Sequence, residues 1–67
     1  MEAKRIKDLK NGEYFTLKPI EEPKESQVWV KGDYERKEKK YSCTKWNDFC
    51  KEKFFKGVQV VYVDFEF

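Results

Sequence analysis

The sequence predicts an α+β fold, mainly β: a small antiparallel sheet, curled or barrel-like, with one short helix before the C-terminal strand. Three observations carry this. Apolar and β-branched residues recur with period two in several separate stretches, the mark of half-buried strands. Only Trp46 to Phe54 places apolar residues at helical spacing. The segment from Val58 to Phe67 is apolar on both faces in its first half, so both faces call for cover.

The elements follow in order. Ile6 and Leu9 are the apolar anchors before Asn11-Gly12, a turn signal. Tyr14–Lys18 alternates and is rich in strand formers, with Phe15 and Leu17 on one face. Pro19 and Pro23 bracket an acidic loop, and proline cannot donate to a central ladder, so this strand ends near Lys18. The second strand spans Gln27–Tyr34, with Val28, Val30, Gly32 and Tyr34 on one face and Trp29, Lys31 and Asp33 on the other. Glu35 to Lys40 forms a charged tip without the Gly or Asn of a tight turn, so a longer loop is expected before a return strand over Lys40–Lys45. Folding this hairpin about its centre sets Tyr34 opposite Tyr41, Gly32 opposite Cys43 and Trp29 opposite Trp46.

A helix is expected over Asn47–Phe55. Asn47 suits its cap, Asp48 its first turn, lysines its last turn, and Gly57 its end. Trp46, Phe49, Cys50 and Phe54 would pack that helix on the sheet. The final strand, Val58–Phe65, then puts Gln59, Val61, Val63, Phe65 and Phe67 on the core face and Val58, Val60 and Tyr62 on the other.

Composition bounds what such a fold can do. The chain has 67 residues, which make a single small β-rich domain over residues 1–67. Charged residues are 42% of it, a level that alone suggests disorder. Six Phe, four Tyr and two Trp oppose that, since aromatics bury roughly 150–250 Å² each. The net charge is only +2, which points to a solvated surface rather than a strongly cationic one. The first ten residues lack the apolar run of a signal peptide and no stretch could span a membrane, so a cytoplasmic location with reduced thiols is expected.

Function classes narrow in the same way. The sequence contains no histidine, and Asp33, Asp48 and Asp64 show no partner arrangement, so no catalytic set is expected. Two cysteines separated by six residues make a poor zinc site, and no metal or cofactor is expected. What remains is association. A face of Val58, Val60 and Tyr62, joined by Trp29, is the expected surface of a homodimer. The alternative is a weak single-stranded nucleic-acid binder using Trp29, Lys31, Tyr34, Arg36, Lys45 and Trp46, aromatics set among cations. Because acids nearly match bases, this alternative ranks second, and no quenching of Trp fluorescence by oligonucleotides is expected.

The run Leu9-Lys10-Asn11-Gly12-Glu13-Tyr14-Phe15-Thr16-Leu17-Lys18-Pro19-Ile20 and the run Ser26-Gln27-Val28-Trp29-Val30-Lys31-Gly32-Asp33-Tyr34-Glu35-Arg36 carry a resemblance. Lys40-Tyr41-Ser42-Cys43 and Lys56-Gly57 with the aromatic end continue it over nearly the whole chain. The chain resembles an uncharacterised family of short proteins from gut Bacteroidetes-type bacteria and their mobile elements. Trp46-Asn47 departs from the Phe-Asp pair expected before Asp48. The resemblance implies no activity; it implies an accessory role for phage, plasmid or conjugative elements.

Overall fold

The computed structural model describes residues 2–65, so the face assigned above to Phe67 lies outside them. Within these residues the regular structure is all strand, apart from two single 3₁₀ turns at Ile6–Asp8 and Glu25–Gln27. In chain order the strands are β1 (Glu2–Arg5), β2 (Tyr14–Phe15), β3 (Trp29–Glu35), β4 (Lys40–Lys45), β5 (Asp48–Phe55) and β6 (Val60–Val63).

Strands β2-β3-β4-β5 make one antiparallel sheet, and β1-β6 a second. The two are stitched by reciprocal 2.9 Å hydrogen bonds between the backbones of Thr16 and Tyr62. They share one core of Ile6, Leu9, Phe15, Trp29, Cys43, Val61 and Val63, with Leu17, Tyr41 and Phe55 packed against it. Across the Thr16–Tyr62 bridge the strands run in the order β1-β6-β2-β3-β4-β5, which does not close: β1 and β5 are the outermost strands.

The hairpin β3–β4 follows the sequence closely. β4 has the expected bounds, the connecting loop has four residues, and Tyr34 stands opposite Tyr41. The other two expected pairs are displaced by one: Lys31, not Gly32, opposes Cys43, and Lys45, not Trp46, opposes Trp29. The cause is a bulge between Lys31 and Tyr34. An added Cβ at Gly32 would lie closer than 3.0 Å to the Ser42 carbonyl oxygen, so only glycine fits there. The extra residue changes which side chains share a face. Trp29 and Lys31 precede the bulge and Tyr34 follows it, yet all three pair with odd-numbered β4 residues on the core side. The sequence placed Tyr34 on the opposite face from Trp29.

The helix expected over Asn47–Phe55 is corrected to strand β5. Trp46-Asn47 is a two-residue turn between paired Lys45 and Asp48, and β5 then runs antiparallel to β4 as far as Tyr41–Phe55. Neither turn residue has the positive φ that matches strand twist in a tight hairpin. The register shift that follows, with Phe49-Cys50-Lys51 unpaired between Asp48 and Glu52, takes up the mismatch. Those extra residues imitate helical spacing.

Two smaller differences concern the chain's ends. Glu2–Arg5, without strand propensity of its own, is held as β1 by pairing with β6. β6 is shorter than expected: it starts at Val60, with Gln59 exposed, and Asp64 at φ 60° lies just past its end. Val61 and Val63 do face the core. Among the described residues, no helix is long and apolar enough to cross a membrane.

Candidate functional site

A cleft of about 580 Å³ lies between β5 and the segment that joins β2 to β3. Its apolar wall is Leu17, Ile20 and Trp29, and its cationic rim is Lys18, Lys45, Lys51 and Lys53. Among the described residues Glu52 is the one acidic residue lining it, and Ser42 Oγ donates a hydrogen bond to the Glu52 carboxylate. The net charge of +2 is therefore not spread evenly, since four lysines against one glutamate gather in this cleft.

The register places two of these lysines. Lys45 pairs with Trp29 on the neighbouring strand, and Lys53 pairs with Cys43, so all four side chains leave the sheet on the core side. At the β5 edge the core no longer covers them, and Lys53 reaches solvent. The Lys45 ammonium lies 5.0 Å from the Trp29 ring centre and that of Lys53 5.9 Å, within cation–π range. Lys45 Nζ also donates to the Ser26 carbonyl oxygen. Among the described residues the one ion pair is the exposed Lys4–Glu2, so none of the four rim lysines is in one.

Trp29 itself is only 5% exposed. The Phe55 ring stands nearly perpendicular to it at 5.5 Å between centroids, and the two lysine heads lie across it. The indole is thus the floor of the cleft rather than an open stacking platform. An anion drawing Lys45 and Lys53 off the ring would change the indole's surroundings. An open aromatic does stand nearby: Phe49, next in the chain to the cleft-lining Cys50, is 75% exposed on the β5 bulge.

The residues named from sequence separate in the structure. Trp29 and Lys45 meet in the cleft. Trp46 is half-buried in the β4–β5 turn, its backbone N–H donating to the Val28 carbonyl. Lys31 is buried beneath the sheet, its Nζ 3.0 Å from Asn11 Oδ1 and 4.5 Å from the Tyr41 ring centre. Asn11 in turn donates to Asp33 Oδ1 at 2.7 Å. This ties the Asn11-Gly12 turn to β3, so Lys31 acts as a structural staple. Tyr34 packs edge-on against Tyr41 at the far end of the hairpin, and Arg36 is exposed in its loop.

The expected dimer face also loses a member. Val58 is 61% and Val60 46% exposed, and Tyr62 is half-buried. Trp29, buried with Val61 and Val63, belongs to the core side and cannot join them. Lys18, Lys51 and Lys53 were not singled out from sequence. The signal that points to them is the alternation of Lys51 and Lys53 along β5.

No constellation for metal or nucleophilic chemistry emerges among the described residues, which contain no cluster of three potential metal ligands. Both cysteines are free. Burial pushes the Cys43 thiol above its ordinary value, opposed in smaller measure by a hydrogen bond from the Gly32 backbone and by the charge of Lys31. Cys43 is thus a protonated core residue at neutral pH.

No family model, curated protein or solved structure matches this chain.

Proposed function

We propose that this protein is a non-catalytic binding module that holds single-stranded nucleic acid in the lysine-rimmed cleft beside Trp29. The observation that carries this is the convergence of Lys18, Lys45, Lys51 and Lys53, none in an ion pair, on an apolar-walled cleft. Unpaired ammonium groups offer phosphate contacts without the cost of breaking internal ion pairs, and they release counterions when occupied. Leu17 and Ile20 offer apolar contact to a base, and Phe49 a face on which one can stack. The near balance of acids and bases ranked this function second in the sequence; the uneven distribution of those charges in the fold moves it to first.

The test is binding of a labelled oligothymidylate by wild type and by the double variant Lys45→Gln, Lys53→Gln, across a salt series. Wild type should bind at low salt and weaken steeply as salt rises. The variant should lose about 1.4 from the log–log salt slope, at roughly 0.7 per phosphate contact on a single strand. Equal binding by both proteins would refute the cleft as the site.

Self-association is the second function proposed, on one observation. With no helix over Asn47–Phe55, nothing of that kind covers Val58 and Val60, and both stand exposed beside the edge strand β1. A homodimer would bury these valines with Tyr62 and without Trp29. A cytoplasmic setting and an accessory role for a bacterial mobile element complete the proposal, the latter on the sequence resemblance alone.

A further inference from the structure

A second concavity, of about 510 Å³, lies at the other end of the same hairpin, where Lys7, Lys39, Lys40 and Lys56 surround Tyr34 and Tyr41. Among the described residues Glu38 is its one acidic residue, so its charge composition repeats that of the Trp29 cleft. Tyr34 is about half exposed, and its ring rests edge-on against Tyr41 at 5.0 Å. This supplies the open aromatic face that the buried Trp29 does not. Among the described residues, none of the four lysines has an ion-pair partner.

The two concavities share a face and a strand. Tyr41 is paired with Tyr34 on one side and Phe55 on the other, two pleats along β4 from the row of Trp29 and Lys45. The Gly32 bulge brings Tyr34 round to the face that holds Trp29. β5 lines the first concavity with Cys50 to Lys53, and the chain just beyond its end lines the second with Lys56 to Val58. From Lys51 to Lys56 is about 17 Å of extended chain, at roughly 3.3 Å per residue. Single-stranded nucleic acid commonly occupies about four or more nucleotides on a small β-barrel.

Building on the cleft reading above, we propose that one strand of nucleic acid runs along β5 and engages both concavities. Its phosphates meet the Trp29-side lysines at one end, and Lys39, Lys40 and Lys56 at the other, with a base on Tyr34. Linking two weak sites through one ligand raises affinity well beyond either alone, so occupancy depends on oligonucleotide length.

Length therefore tests it. The probes are a thymidine dinucleotide and an oligothymidylate of about twelve nucleotides, enough to span both sites. They are titrated against wild type and against Lys39→Gln, Lys56→Gln, two exposed positions, with circular dichroism as the folding control. Wild type should bind the long probe at least roughly tenfold more tightly than the short one. The variant should lose most of that gain, and its salt slope on the long probe should fall by about 1.4, while the dinucleotide still enters the Trp29 cleft, whose lysines are untouched, as read by quenching of Trp29 in a Trp46→Phe background. If the dinucleotide binds but the long probe gains nothing, or keeps its gain in the variant, the two-site inference fails and the cleft survives. If neither probe binds, both fail together.

Discussion

Replacing Gly32 with alanine should be among the most damaging single-methyl additions in this protein. A Cβ there would overlap the Ser42 carbonyl oxygen, a backbone atom of the neighbouring strand that cannot swing aside like a side chain. Relief requires β3 and β4 to part by a substantial fraction of an ångström, or the bulge to be lost. Losing the bulge would slip the register by one and turn either Trp29 and Lys31 or Tyr34 to the wrong face. Overpacking of this sort costs about 1–3 kcal/mol. In a domain of this size each kcal/mol moves the midpoint by roughly 4–8 °C, so a fall of about 8–16 °C is expected for 2 kcal/mol. Gly12→Ala is the comparison: its added Cβ meets nothing within 4 Å, and only the φ of +87° opposes it. Its cost should be about 1–2 kcal/mol, from backbone strain alone. Thermal unfolding followed by circular dichroism measures both. Gly32→Ala melting within about 2 °C of wild type would refute the close strand approach, and with it the bulge that aligns Tyr34 with Trp29.

Other outcomes follow from the same packing. Val61→Ala, at a fully buried position, should lose roughly 1–3 kcal/mol in urea unfolding, and a loss within error would mean that this face of β6 is not core. In native protein at neutral pH a thiol reagent should titrate Cys50 quickly and Cys43 only after denaturant is added; equal native rates would contradict the burial of Cys43. Because the folded state holds the Cys43 proton more tightly than the unfolded chain, the associated stability is complete below the ordinary thiol value of 9.0 and is lost as pH rises through the higher folded value. Unfolding midpoints of wild type should therefore fall above about pH 9 by more than those of Cys43→Ala. If the protein dimerises through Val58, Val60 and Tyr62, Val60→Lys should abolish the dimer in sedimentation while leaving the circular dichroism spectrum unchanged. A wild type monomeric at its highest soluble concentration would remove that interface.

Much of the fold was legible because its strands announce themselves locally. The hairpin of β3 and β4 carries its alternation in Trp29 to Tyr34 and Tyr41 to Lys45, and the Tyr34–Tyr41 pair follows from folding it at the centre. Gly32 was visible too, but that it marks a bulge depends on the approach of Ser42, which no local pattern encodes. β5 was misread for a physical reason. Three unpaired residues after the Trp46-Asn47 turn shift Phe49 and Cys50 out of period two and into apparent helical spacing, with Asn47 and Gly57 placed like caps. The candidate site suffered from the same error. Lys51 and Lys53 gain their meaning from lying on an edge strand against Trp29, so a helix there hid the cleft, while Lys31 drew attention it loses once buried against Asn11 and Tyr41.

The most direct test of the cleft is the fluorescence of Trp29 alone. Trp46→Phe removes the other indole, leaving a reporter beneath Lys45 and Lys53. Titration with oligothymidylate at low salt should quench or shift its emission as phosphates draw the two ammonium groups from the ring. The change should reverse when salt is added and be absent when Lys45 and Lys53 are glutamine. An emission spectrum unmoved by saturating oligonucleotide at low salt would contradict the account.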